Sequence, residues 1–221
     1  MLASELLNDM IPPLKLTDTT ELALAWMDEF RCNQLAIVNN GKFLGLVSEE
    51  LILDQGASVS KISDLKLECL HCKVNQSAHF FEIIKLASSN VIELVAVVNN
   101  EDEFLGVITI KDTIFSLSQT LAVQSVGAII VISIKSIDYS LSDVSRLVES
   151  EGYKILSSSI KLDDANDELL KLTLKVNSRD IQRLLATFER FSYKVIAQLQ
   201  AKPTGDSDKD RLDILFKYLD I

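Results

Sequence analysis

Phe43-Leu44-Gly45-Leu46-Val47-Ser48 and Phe104-Leu105-Gly106-Val107-Ile108-Thr109 are one short pattern written twice, an apolar strand with glycine third and a hydroxyl sixth. The surroundings repeat as well. Upstream, Leu35-Ala36-Ile37-Val38-Asn39-Asn40 is answered by Leu94-Val95-Ala96-Val97-Val98-Asn99-Asn100, and Lys15-Leu16-Thr17-Asp18 by Lys73-Val74-Asn75-Gln76. Downstream, Leu51-Ile52-Leu53 is answered by Thr113-Ile114-Phe115. The offset drifts only from 58 to 61 residues, and each step falls in an expected turn. Two copies of one supersecondary unit are therefore the first expectation. Each copy reads strand, helix, strand, tight turn, strand, helix.

Local chemistry agrees with that order. Asp18-Thr19-Thr20-Glu21 opens the first helix as a capping box, and Leu22, Trp26 and Phe30 follow at spacings of four with Ala23 and Met27 beside them. In the second copy Phe80, Ile83, Ile84 and Ala87 share one helical face. Asn39-Asn40-Gly41-Lys42 predicts a hairpin, because Asn and Gly accept positive φ. The second copy uses the longer, acidic Asn99-Asn100-Glu101-Asp102-Glu103.

From about Gln124 the pattern changes. Ala128 to Ile134 reads as a buried strand, and Leu141, Val144, Leu147 and Val148 follow at helical spacing, with Gly152 as the helix stop. Ile155 to Lys161 is a second strand. In a third, Leu170, Leu172, Leu174 and Val176 alternate with polar residues. Ser178 is the expected cap of a helix carrying Ile181, Leu184, Leu185, Phe188 and Phe191, and Lys194 to Gln200 supplies the last strand. The order βαββαβ implies an antiparallel sheet with both helices on one face. After the polar linker Ala201 to Asp208, Leu212, Leu215, Phe216 and Leu219 form an apolar stripe on a short terminal helix. A helix this short needs a surface of its own chain or of a protein partner to dock on.

The chain has 221 residues, 22 Lys+Arg against 32 Asp+Glu, a net charge of −10 and 48% apolar residues. So acidic a surface repels phosphate backbones and anionic lipid, which argues against nucleic-acid and membrane partners. The longest apolar run, Ala128 to Ile134, is far short of the ~20 residues a spanning helix needs. Residues Met1 to Leu7 show no basic stretch before an apolar one, so a cytoplasmic location is expected. Three cysteines, an odd number, do not form a disulfide framework and fit a reducing compartment.

The two N-terminal units resemble CBS domains, modules that occur in tandem pairs. The residues that carry the resemblance are the glycine-containing strands around Gly45 and Gly106 with the helix starts that follow them. The C-terminal unit resembles an ACT domain, a regulatory module of metabolic enzymes. The order CBS–CBS–ACT is similar to bacterial stand-alone regulators of the acetoin-utilisation type. The fold class implied is α+β: a tandem pair of βαββα units, residues 1–58 and 59–123, then a ferredoxin-like βαββαβ unit, 124–201, and a linker with its helix, 202–221.

The resemblance also implies a site. CBS pairs that bind adenosine nucleotides use Gly, two apolar residues, Ser or Thr, two residues and Asp. The second unit matches with Gly106, Thr109 and Asp112; the first has Leu51 at the carboxylate position. Only a carboxylate accepts two hydrogen bonds from a cis diol, so one adenosyl site per chain is expected, built around Asp112. Val74, Val95 and Ala96 are the candidate adenine walls, and Lys111, Lys73 and His71 the candidate phosphate contacts. AMP, ADP, ATP and S-adenosylmethionine are the candidate ligands. Thr109 and Asp112 also fit an ordinary helix cap. In the ACT-like unit, Asp138 and Ser140 are the candidates to hold an α-amino group, with Ser140 as a helix N-cap the competing role. Dimerisation is the main role expected of that unit.

Cys69-Leu70-His71-Cys72 with His79 is the only cluster with metal-like spacing, and the single other cysteine, Cys32, does not complete a zinc set. No metal site is expected. Two histidines without a nucleophile signature and no phosphate-binding glycine loop argue against an enzyme. A homodimeric, non-enzymatic ligand sensor is the leading expectation, and a dimeric interaction protein with a degenerate CBS pair the alternative.

Overall fold

The computed structural model describes residues 1–55, 60–163 and 165–200. The boundary expected at 58/59 and the linker and helix expected over 202–221 lie outside them. The chain divides into two compact units between Leu117 and Ser118. Among the described residues no helix is long and apolar enough to cross a membrane.

In the first unit, one copy consists of α1 (Thr20–Phe30), β1 (Gln34–Asn39), β2 (Lys42–Ser48) and α2 (Glu49–Gln55). The other consists of β3 (Lys73–Asn75), α3 (Phe80–Asn90), β4 (Leu94–Val98), β5 (Phe104–Thr109) and α4 (Ile110–Thr120). Thr19 Oγ1 accepts from the Leu22 N–H at 3.2 Å and starts α1. α1 and α3 end alike, at Arg31 and Val91, both in the left-handed conformation. The β1–β2 turn has positive φ at Asn40 and Gly41, as the Asn-Gly pair requires.

β3 pairs in parallel with β4, which pairs antiparallel with β5. The strand expected at Lys15 to Asp18 is reduced to a single bridge one residue earlier, where Leu14 donates to the Ala36 carbonyl and accepts from Val38. Pro12 and Pro13 have no N–H to give, and Asp18 turns the chain back by accepting from the Lys15 N–H at 2.7 Å. Both antiparallel pairs carry a bulge at the same place, between Ile37 and Val38 and between Val97 and Val98.

The segment leading into each copy packs on the other copy. Ala3 and Ser4 donate backbone bonds to Ala78 and Gln76, and Asn8 donates to Val107. Conversely, Ile62 and Ser63 donate to Asp18 and Leu16, while Glu68 and Leu46 exchange both bonds. Ala3 and Ile62 are fully buried in one shared core with Leu35, Ile37, Phe80 and Val95. The two copies thus make one folded body.

The second unit runs β6 (Ala128–Lys135), α5 (Leu141–Ser150), β7 (Ile155–Asp163), β8 (Asn166–Val176), α6 (Gln182–Arg190) and β9 (Lys194–Gln200). This is the expected βαββαβ order. The sheet order is β7-β8-β6-β9, antiparallel throughout. Ile130, Ile132, Leu172 and Leu174 alternate onto one face and pack with Val144, Leu147, Leu184 and Phe188 of the helices. Gly152 closes α5 with φ +81°. Ser178 does not cap α6: Asp180 Oδ1 accepts from the Gln182 N–H at 3.2 Å, and Ser178 Oγ donates to the Asp180 carbonyl. Asp180 lies nearer the first helical turn and offers a charged acceptor, which makes the stronger bond.

Candidate functional site

Where β5 hands over to α4, Thr109 and Asp112 cap the helix together. Asp112 Oδ2 accepts from Thr109 Oγ1 at 2.6 Å, from the Thr109 N–H at 3.0 Å and from Asn8 Nδ2 at 3.2 Å. The Asp112 N–H donates to Thr109 Oγ1 at 3.2 Å. All three bonds to the carboxylate converge on Oδ2, and Oδ1 takes none of them. The half-buried carboxylate borders a cavity of about 410 Å³ walled by both copies. Its other walls are Met10 and Ile11 of the leading segment, Glu29 to Cys32 at the end of α1, Glu93, and Thr109 to Lys111.

Cations reach this cavity from two sides. Lys111 Nζ donates to the Arg31 carbonyl at 3.1 Å, so the ammonium sits at the negative end of α1. Arg31 itself lines the space. Burial pushes the Cys32 thiol above its ordinary pKa; Glu93 adds to the rise, while a backbone bond at Gln34 and Lys111 oppose it. The thiol is therefore held neutral and is a poor nucleophile.

The structure brings Thr109, Lys111 and Asp112 together and leaves six other sequence-derived candidates outside the cavity lining. Val74, Val95 and Ala96 are buried in the sheet. A Cβ on Gly106 would come 3.0 Å from Leu7 Cδ2, so that glycine makes room for the leading segment. Of the basic candidates, Lys73 bonds Asp102 at 2.5 Å and His71 bonds Asn90 at 2.9 Å. The sequence pattern places Phe30 only on the apolar face of α1 and does not single out Arg31 or Asn8. The available signal was that α1 ends in Phe-Arg where the repeat places Asn90-Val91. In the first copy Ser48 Oγ accepts from the Leu51 N–H at 3.2 Å, the same cap without the carboxylate.

In the second unit, Asp138 lines a separate cavity of about 710 Å³ with Lys135, Asp143, Arg146, Tyr193 and Lys194. Ser140 is used as the N-cap of α5, accepting from the Asp143 N–H at 3.3 Å. Burial, with Asp143 adding and Arg146 opposing, pushes the Tyr193 hydroxyl above its ordinary pKa. The three cysteines make no disulfide framework, but Cys69 and Cys72 are joined as a disulfide, where a tight turn brings their Cα atoms to 5.2 Å. Cys32 is free.

No family model and no curated protein matches the chain. Among solved structures it is similar to a CBS domain pair/ACT domain protein of Thermotoga maritima, with 20% identity over 55% of this chain and 99% of that one and a TM-score of 0.49. It is also similar to CBSX2 of Arabidopsis thaliana, with 14% identity over 53% of this chain and 94% of that one and a TM-score of 0.48. A structure of CBSX2 in complex with AMP matches at 14% identity over 53% of this chain and 96% of that one, with a TM-score of 0.47.

Proposed function

We propose that this chain is a non-enzymatic ligand-sensing regulator, a tandem CBS pair followed by an ACT-like, ferredoxin-like unit, and that the cavity at Asp112 takes an adenosyl compound. The observation that carries this reading is Asp112 Oδ1, a carboxylate oxygen outside the capping bonds at the edge of a two-sided cavity. A ribose cis diol has two hydroxyls to donate to such a carboxylate. Phe30, Met10 and Ile11 offer apolar surface to a base, and Lys111 and Arg31 offer charge to a phosphate. The volume of about 410 Å³ falls within the range of small-molecule sites. With Lys111 and Arg31 outnumbered by the carboxylates of Glu29, Glu93 and Asp112 in the cavity lining and a net charge of −10, AMP or the cationic S-adenosylmethionine suits it better than ATP.

Because both copies wall the cavity, a ligand that fits one of their arrangements better shifts the pair toward it, and the second unit carries the change into a homodimer. A thermal-shift series with AMP, ADP, ATP and S-adenosylmethionine tests this. A ligand at 100 times its Kd adds about 2.7 kcal/mol to stability. The shift should vanish in Asp112→Asn, which keeps one oxygen for the cap and loses the charged pair of acceptors. An equal shift in that variant removes the assignment.

One observation favours a second reading. Asp112 already makes a complete cap, so the chain also fits a dimeric interaction protein with no small-molecule ligand. That reading expects no shift with any compound and a protein partner lost on truncation after Lys202.

A further inference from the structure

The turn Cys69-Leu70-His71-Cys72 leads into β3 and brings one donor atom from each of Cys69, His71 and Cys72 within 4.8 Å of one another. His79, the other histidine near this motif, is committed elsewhere: its Nδ1 caps α3 by accepting from Phe81 N–H at 3.3 Å, and its ring lies against Phe80 and Phe81. The turn is fixed at both ends. The Cys72 N–H donates to the Cys69 carbonyl at 2.9 Å, and the Cys72 carbonyl accepts from Ala96 of β4 at 3.1 Å. Cys72 is buried, Cys69 half-buried and His71 exposed, so the three donors span from the core to solvent.

The imidazole is oriented from outside the motif. His71 Nε2 lies 2.9 Å from Asn90 Oδ1. The Asn90 amide is anchored by its other end, where Nδ2 donates to the Leu86 carbonyl at 2.8 Å. A carbonyl only accepts, so the amide oxygen must face the histidine, and Nε2 must be the nitrogen carrying the proton. The Nδ1 lone pair is thereby left for another partner. An outer carbonyl holding the far nitrogen of a ligating histidine is the arrangement that fixes tautomer and direction at metal sites.

The place in the repeat is also informative. Leu14 pairs with Ile37 as Val74 pairs with Val97, an offset of 60, so the turn is the counterpart of residues 9–12 beside the Asp112 cavity. The segment that packs on the copy with Leu51 in place of the carboxylate carries soft donors here instead.

We propose that, when reduced, this turn binds one thiophilic divalent cation, zinc above all, through the Cys69 and Cys72 thiolates and His71 Nδ1, with the fourth tetrahedral position left to water. The two sulfurs are bonded to each other in the structure. A phosphine opens that bond: it takes oxygen from water to become the phosphine oxide, and the sulfurs take the two electrons and two protons. Metal uptake then releases both thiol protons.

The test is titration of the phosphine-reduced full chain with Co²⁺. One cobalt per chain is expected, with thiolate-to-cobalt charge-transfer absorption that Zn²⁺ displaces. Cys69→Ser, at the half-buried position, should lose that absorption while keeping a native circular dichroism spectrum. His71→Ala and Asn90→Ala should each bind about tenfold or more weakly. The proposal is overturned if the reduced protein shows no thiolate–cobalt absorption, if Cys69→Ser keeps it, or if His71→Ala binds as tightly as the parent.

Discussion

Thr109 and Asp112 hold each other from both directions: the hydroxyl of Thr109 donates to the carboxylate at 2.6 Å and accepts from the Asp112 N–H at 3.2 Å. This is a capping box in which the acid three residues into the sequence closes the loop on the residue that starts the helix. Thr109→Ala and Asp112→Ala should each cost about 1 kcal/mol of stability. The double variant should cost less than the sum, because either change alone already breaks the reciprocal bond. Urea midpoints of the four proteins measure this, and strict additivity would contradict the geometry.

The glycines should differ sharply. A Cβ on Gly127 would lie 1.9 Å from the Val176 carbonyl oxygen, and one on Gly45 would lie 2.8 Å from the Glu68 carbonyl. Both obstacles are backbone, which cannot swing aside. A Cβ on Gly106 meets only the tip of the Leu7 side chain. Gly127→Ala should therefore be the most destabilising, Gly45→Ala should cost about 1–3 kcal/mol, and Gly106→Ala the least. Denaturation midpoints give the ranking directly.

The Lys73–Asp102 pair should show itself in acid. The hydrogen bond from Lys73 holds the Asp102 carboxyl below the ordinary carboxylate range, against a smaller opposing effect of burial. A folded pKa below the unfolded one means that this contribution is complete above the unfolded value of about 3.9 and is lost as pH falls through the folded value. Carboxyl titration by NMR should find Asp102 low in the parent and back in the ordinary range in Lys73→Met. The stability difference between the two proteins should disappear in acid.

Much of the architecture is legible in residue order. The repeat, the Asn40-Gly41 turn, the alternation along Leu170 to Val176 and the helical spacing of Phe80, Ile83 and Ala87 are all local patterns with a period of their own. The leading segments are not, because Ala3 and Ile62 belong to short irregular stretches whose partners lie far along the chain. The pair Thr109 and Asp112 is visible as a motif, yet the rest of its cavity comes from the leading segment, Glu93 and the end of α1, where periodicity puts Phe30 on the apolar face of the helix but does not mark it or Arg31 as facing the cavity. His71 was visible too, but what orients its ring is Asn90, on the next helix and silent in any spacing rule.

The exchange of leading segments has a consequence for the chain as an object that can be cut. Residues 1–55 carry the strap that binds the second copy, and the residues from Ser60 onward carry the strap that binds the first. A protease nick between Gln55 and Ser60 would therefore sever the covalent thread without releasing either piece. The two fragments would stay interlocked, and each, made alone, would lack the strap that packs on it.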